Sequence, residues 1–239
     1  EHMVAHEDMP QLDRWALMKL NDLIARVRKG YDDYEFHTVM HAIHNFCVVD
    51  MSNFYLDVIK DRLYCDGTDS VSRASAQTTI YYILDALVRM IAPILCFTAD
   101  EIWKAMPHKA EDDLQNIALN SMPSVCDAYD MDENEREKWN RLIALRDEVN
   151  KALEAARAAK IIGKPLEAWV TISASDATTD FLSNCGLSNE ELAALCIVSK
   201  LRVVCDTALN DAEKDVTIDI ERASGDKCER CWMYVDSIG

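Results

Sequence analysis

The sequence predicts a mainly α fold, a helical bundle followed by a small α/β domain, and three observations carry that expectation. Apolar residues recur at helical spacing through roughly the first two thirds of the chain. From Ala168 onward, apolar and polar residues alternate instead with the period of two that marks half-buried strands. Six Gly and five Pro are too few for a loop-rich β-sandwich. At 239 residues, 49% hydrophobic and 28% charged, the chain can bury a sizeable core as one large domain or two smaller ones.

Leu12 to Lys29 opens the bundle, with Leu12, Trp15, Leu20, Leu23, Ile24 and Val27 near one side. Phe36 to Leu63 reads as one long helix on which Phe46, Val49, Phe54, Val58 and Leu63 recur. The Asp66-Gly67 turn breaks it. Ser70 to Ala92 is nearly continuous in apolar residues after Ile80, which places it in the centre of a bundle, and Pro93 stops it. Thr98-Ala99-Asp100-Glu101 has capping-box spacing, and Pro107 ends the short helix that follows. Residues 107 to 130 read as an irregular connection. Asp132 caps a long helix to Ala159, with Leu142, Leu145, Val149, Ala152, Ala156 and Ala159 as its packing seam. Strands are expected at Ala168–Ala174, Ile197–Cys205 and around Val216–Ile220, with short helices at Thr178–Asn184 and Ser188–Leu195.

The net charge of −17 argues against indiscriminate binding of nucleic acid or membrane through the whole surface, but leaves room for a local basic site. Arg136 to Lys164 provides such a stretch. It carries eight basic and four acidic residues, so the remainder of the chain sums to −21. Two readings stay open for it: attraction of phosphate, or a solvated helix with ordinary ion pairs. No apolar run is long enough to span a bilayer, and no apolar leader opens the chain. Glu1-His2-Met3 reads as a tag remnant.

Seven of the nine Cys are scattered through mostly apolar runs, the usage of a reducing compartment. Cys228 and Cys231 instead form a C-x-x-C turn that can hold one Zn²⁺ at about 2.3 Å from each sulfur. With no second such pair before Gly239, it reads as half of a zinc ribbon or as two unligated thiols. His37, His41 and His44 share a helix side without a flanking acid in phase, so a surface or interhelical hydrogen-bonding role is favoured over a metal. Phe54 and Tyr55 read as core, with Lys60 and Arg62 as charges beside the turn. No Walker loop, G-x-G-x-x-G or G-x-S-x-G occurs, and no catalytic centre is visible.

Several segments together resemble the C-terminal part of bacterial-type isoleucyl-tRNA synthetases, a family of class I aminoacyl-tRNA synthetases. They are Leu12-Asp13-Arg14-Trp15-Ala16-Leu17, FYLDVIKDRLY (54–64), TTIYYILDALVRMIAPILCFTADEIW (78–103), WNRLIALRDEV (139–149), KIIGKPLEAWV (160–170) and KCERCW (227–232). The resemblance implies a leader at 1–9, an anticodon-binding bundle at 10–123, a connecting helix at 124–160, an α/β junction domain at 161–224 and the start of a zinc module at 225–239. It implies tRNA(Ile) and the remainder of the synthetase chain as partners, without membrane or DNA, in the cytoplasm. It also implies a fragment that positions the anticodon stem-loop and lacks catalytic residues, while ATP, magnesium and isoleucine chemistry belong to a catalytic domain outside this sequence. Zinc would belong to the full-length protein, held in part by Cys228 and Cys231. Within these segments, Lys60, Arg62, Arg141, Lys160 and Lys164 are the expected RNA contacts by charge and position. The alternatives are a valyl- or leucyl-type relative, or an acidic helical module that packs on another protein.

Overall fold

The computed structural model describes residues 3–210 and 213–235, so Glu1 and His2 of the leader lie outside the described residues. The chain divides into two compact units, Glu1–Met131 and Asp132–Gly239.

The first unit is a helical bundle. Its helices are α1 (Gln11–Asp32), α2 (Phe36–Asn45), the short turns α3 (Leu56–Val58) and α4 (Lys60–Tyr64), α5 (Val71–Ile91) and α6 (Cys96–Ala105). Asp13 meets Ser75 near the starts of α1 and α5, and Tyr31 meets the Met90 carbonyl near their ends, so the two helices run parallel. The other elements return between them. Helix α5 has almost no exposed residue after Arg73, as its apolar sequence requires of a central helix. Ser70 caps its start by accepting from the Arg73 amide.

The expected single helix from Phe36 to Leu63 takes a different form. Between α2 and α3, Phe46–Tyr55 winds with π geometry. Its wider turn carries the buried positions from Phe46 to Met51 to Tyr55, and Val49 swings out to 57% exposure. A 3.6-residue repeat had placed Val49 in the core. The capping box expected at Thr98–Glu101 is also absent: α6 starts at Cys96, three residues before the Ala99 start that a Thr98 cap implies, and Leu95 precedes it without a side-chain cap. This start follows from the backbone bonds of Leu95 to Ile91 and of Ala99 to Leu95, which carry the chain round Pro93 directly into the next helix.

A buried carboxylate ties the bundle together. Asp13 is fully buried on α1. It accepts from Tyr55 Oη (2.8 Å), Ser75 Oγ (2.5 Å) and both terminal nitrogens of Arg62 (2.9 and 2.5 Å). Arg62 also donates to Ser72 Oγ and to the Ser72 carbonyl. Burial alone would pull the guanidinium pKa down, but the hydrogen bonds and charge of Asp13 outweigh it and hold Arg62 above its ordinary value. Burial first, and the Asp13 charge second, push the Tyr55 hydroxyl well up.

A second charged group fixes the connection after α6. Arg89 pairs with Asp85 (2.9 Å) and Asp112 (2.7 Å), lies 4.8 Å over the Trp103 ring, and Lys109 closes on Asp85 (3.1 Å). The Trp103 indole donates to the Asp113 carbonyl, and Ile117 buries against Trp103 and Val88. This stretch is therefore irregular in backbone yet firmly held.

The second unit joins helix α7 (Glu133–Ala158) to an α/β sandwich. Asp132 caps α7 by accepting from the Glu135 amide. Trp139, Leu142, Val149, Leu153 and Ala156 are its buried positions. Leu153 thus takes the place expected of Ala152, and Ala159 is exposed at the helix end. Strands β1 (Ala168–Ala174), β2 (Lys200–Cys205) and β3 (Val216–Arg222) form a sheet of order β2-β1-β3, with β2 parallel and β3 antiparallel to β1. Helices α8 (Asp176–Asn184) and α9 (Asn189–Cys196) make the crossover from β1 to β2, and Ser188 and Glu191 form a capping box at α9. The residues Ile197 to Ser199 do not join β2, because Ile197 is the left-handed residue that ends α9. Strands β4 (Asp226–Lys227) and β5 (Tyr234–Val235) pair as a small hairpin.

Replacing Asp13 by Ala leaves Arg62 buried without its counter-charge and removes the Tyr55 hydroxyl's Asp13 acceptor, and should cost about 3–5 kcal/mol in urea unfolding. The double change Asp13→Ala with Arg62→Met should recover part of that loss, which identifies the orphaned cation as its cause. Acid should act on the connection after α6. Burial opposes ionisation of Asp112, but the Arg89 guanidinium and the Lys109 amide outweigh it and hold Asp112 below the ordinary carboxylate range. Its folded pKa is depressed, so its contribution is complete above the ordinary carboxylate pKa and fades as pH falls through the depressed value. Trp103 fluorescence should therefore report loosening of residues 107–120 in acid, and Asp112→Asn should flatten that response.

Candidate nucleic-acid interface

The bundle neutralises most of its own cations. Lys19 pairs with Asp50, Lys29 with Asp33, Lys104 with Asp100, and Arg89 and Lys109 with the Asp85–Asp112 group. Lys60 is exposed at the end of the rod that begins at α2, but pairs with Asp57 one turn away. Arg62 sits close by in sequence and does something else. Four of its five N–H donors are committed to Asp13 and Ser72, so it supports the bundle from within.

The basic stretch on α7 is similarly occupied. Lys138 pairs with Glu135, Lys151 with Glu148 and Arg157 with Glu154, each one helical turn apart. Pairs of this kind are worth little in stability, but they cancel charge. Arg146 holds the end of α9 through the Leu195 carbonyl. The Arg141 guanidinium lies 3.7 Å over the Phe181 ring and packs α7 on α8. The solvated-helix reading accounts for this middle section.

The two lysines after α7 differ. Lys160 occupies a left-handed backbone position with φ of 60°. Its amide bonds to the Arg157 carbonyl and that of Ile161 to the Ala156 carbonyl, the pattern of a Schellman cap, in which Gly is the usual residue. Both Lys160 and Lys164 are solvent-facing and have no carboxylate partner among the described residues. Between them, the Gly163 amide donates to Glu167 (2.8 Å), and that bond first, then the charges of Arg222 and Lys227, hold Glu167 below its ordinary value.

Lys164 reaches toward a residue that sequence reasoning passed over. Trp232 is 56% exposed, with Lys164 Nζ and Lys227 Nζ each 5.7 Å from its ring centroid. It stands directly after the C-x-x-C turn, at φ 65°. The signal for it in the sequence is its place in KCERCW, directly after the two cysteines. A large exposed ring between two ammonium groups is chemically suited to stacking an unpaired base while the cations take its phosphates.

Cys228 and Cys231 form the turn that presents this ring. The Cys228 amide donates to the Met233 carbonyl and the Trp232 amide to the Cys228 carbonyl, both at 2.9 Å. The Cys231 amide, then the Arg230 amide and the Cys231 thiol, lower the Cys228 pKa. That environment favours a thiolate and fits a metal ligand. No group of three or more potential ligands occurs among the described residues, and the turn brings two thiols together. Cys205 does not approach it and instead bonds to Asp176 (3.0 Å). His37, His41 and His44 are exposed and gather no acid.

Among the described residues, no helix is long and apolar enough to cross a membrane. Residues 13–172 match the family model described as the anticodon-binding domain of tRNA ligase. Curated relatives are isoleucine–tRNA ligases. That of Syntrophotalea carbinolica is 46% identical over 241 residues, covering 99% of this chain and 25% of the relative. That of Carboxydothermus hydrogenoformans is 44% identical over 240 residues, covering 100% and 25%. That of Caldanaerobacter subterraneus is 41% identical over 243 residues, covering 99% and 26%. The chain spans about a quarter of the length of the curated relatives it matches.

Exchanging Lys160 for Gly should raise stability by about 1 kcal/mol, because Gly carries no penalty in the left-handed region. Thermal unfolding measures the gain, and the variant removes one exposed charge without disturbing the fold.

Proposed function

The chain belongs to the family of anticodon-binding domains of tRNA ligases, and we propose that it is the part of an isoleucine–tRNA ligase that grips the anticodon stem-loop of tRNA(Ile). The observation that carries this reading is the distribution of unneutralised positive charge. On a chain of net charge −17, the bundle's lysines are largely paired, while Lys164 and Lys227 flank the exposed Trp232 and Lys160 stands exposed at the end of α7 with no carboxylate partner among the described residues. Phosphates are drawn to that surface and repelled from most of the rest. Lys60 adds an exposed charge from the bundle, and Arg141 a partly engaged one from α7.

In this reading the lysines neutralise backbone phosphates and set register, and Trp232 stacks on an unpaired base of the loop. Arg62 acts indirectly, by keeping the bundle intact. A Zn²⁺ bound through Cys228 and Cys231 would supply a structural cross-link for the hairpin that carries Trp232. Activation of isoleucine with ATP and magnesium, and its transfer to the 3′ end, belong to the catalytic part of the complete ligase. The isoleucine ligases among the relatives favour tRNA(Ile) over the substrates of valyl and leucyl enzymes. We place the complete protein in the cytoplasm, with tRNA and no DNA as its nucleic-acid partner.

In the complete ligase, Lys164→Ala and Lys60→Ala should each raise the KM for tRNA in aminoacylation, while isoleucine-dependent pyrophosphate exchange is unchanged. Trp232→Ala should weaken binding of the anticodon stem-loop by about tenfold, the scale of one lost base stack. Equal loss in both reactions, or loss in neither, would refute the assignment. Absence of stem-loop binding by the chain at low salt would favour the protein-packing alternative.

A further inference from the structure

One face of the β2-β1-β3 sheet carries the helices. Ala168, Val170, Ile172 and Ala174 of β1 are buried there, beside Leu201 of β2, and α8 and α9 pack on β1 and β2 while α7 packs on β3 and α9. The opposite face carries no helix among the described residues. Strand register sets its side chains in rows: Lys200, Trp169 and Glu221 in one, and Arg202, Thr171 and Asp219 in the next.

The positive half of this face is built. Lys200 Nζ lies 4.4 Å from the Trp169 ring centroid, and Arg202 Nε donates to Thr171 Oγ1 at 2.8 Å. Neither cation has a carboxylate partner among the described residues, unlike the lysines of the bundle and of α7. Glu221 and Asp219 lie beyond β1, on the far strand. The Trp169 indole N–H has no hydrogen-bond acceptor, so packing and Lys200 alone hold the ring.

Because β2 is an edge strand, its lysine and arginine discourage a second strand from pairing with it. The same charges suit a phosphate backbone. A half-buried aromatic ring on a sheet face, beside two cations without carboxylate partners among the described residues, is an arrangement that can hold single-stranded RNA by stacking plus charge. We propose that Trp169, Thr171, Lys200 and Arg202 form a platform for a single-stranded RNA segment. A base takes the place of the Lys200 head group over Trp169, and Lys200 and Arg202 take the flanking phosphates. This rests on the tRNA-binding reading and adds to it a second contact surface, separate in sequence from the Trp232 hairpin.

The test compares Lys200→Gln/Arg202→Gln with Lys160→Gly/Lys164→Ala, each in the 239-residue chain, by salt titration of binding to an anticodon stem-loop RNA. Thermal unfolding checks that both fold. The sheet variant should reduce the slope of log affinity against log salt by about 1.4, at about 0.7 for each single-strand phosphate that no longer meets a cation. A loop carrying 4-thiouridine should cross-link to peptides 168–174 or 200–205. If the sheet variant keeps the parent slope and these peptides stay unlabelled, while Lys160→Gly/Lys164→Ala lowers the slope, the platform is overturned, the tRNA reading stands and the face belongs to a protein partner. If neither variant changes the slope, the tRNA reading falls and takes the platform with it.

Discussion

Burial of the Asp13 carboxylate imposes a condition on the entire first unit. An unpaired charge in that position would be prohibitively costly, so the chain must deliver donors to it from several directions. Tyr55 arrives from the π segment, Arg62 from α4 and Ser75 from α5. Each donor fixes the rotation of its own element against α1. The π winding of Phe46–Tyr55 is consistent with this demand, since it brings Phe46, Met51 and Tyr55 inward together. The bundle is thus specified by a polar centre as much as by its apolar packing.

The second unit solves a different problem. It must leave some positive charge unspent on a strongly acidic chain. Helix α7 cancels three of its six cations against acids one turn away, and Arg141 and Arg146 are absorbed by Phe181 and the Leu195 carbonyl. Among the described residues, cations without a carboxylate partner include Lys160 and Lys164 past the helix end, Lys227 beside Trp232, and Lys200 and Arg202 along β2. Separation of neutralised from unneutralised cations, more than their number, gives the chain a directional surface.

How much of this was legible depended on the range of the interaction. Strand β1 was read at its true limits, because alternation of Val170 and Ile172 with Thr171 and Ser173 is local. The Asp132 cap was likewise a matter of three residues. The π segment was not legible, since its sequence also satisfies a 3.6-residue repeat and only contacts with α1 decide between the windings. Arg62 was read as a surface contact because its partner lies 49 residues earlier in the chain. Lys160 and Lys164 were found from charge alone, but Trp232 was not, since exposure of a ring is a tertiary property.

The sequence by itself determined the class of fold, the change of period near Ala168, the Asp132 cap and the two-cysteine turn, because these follow from spacing over a few residues. Only the tertiary structure decided which charges are available. Whether a cation is free or spent depends on the acids and rings that folding brings to it, and those come from anywhere along the chain.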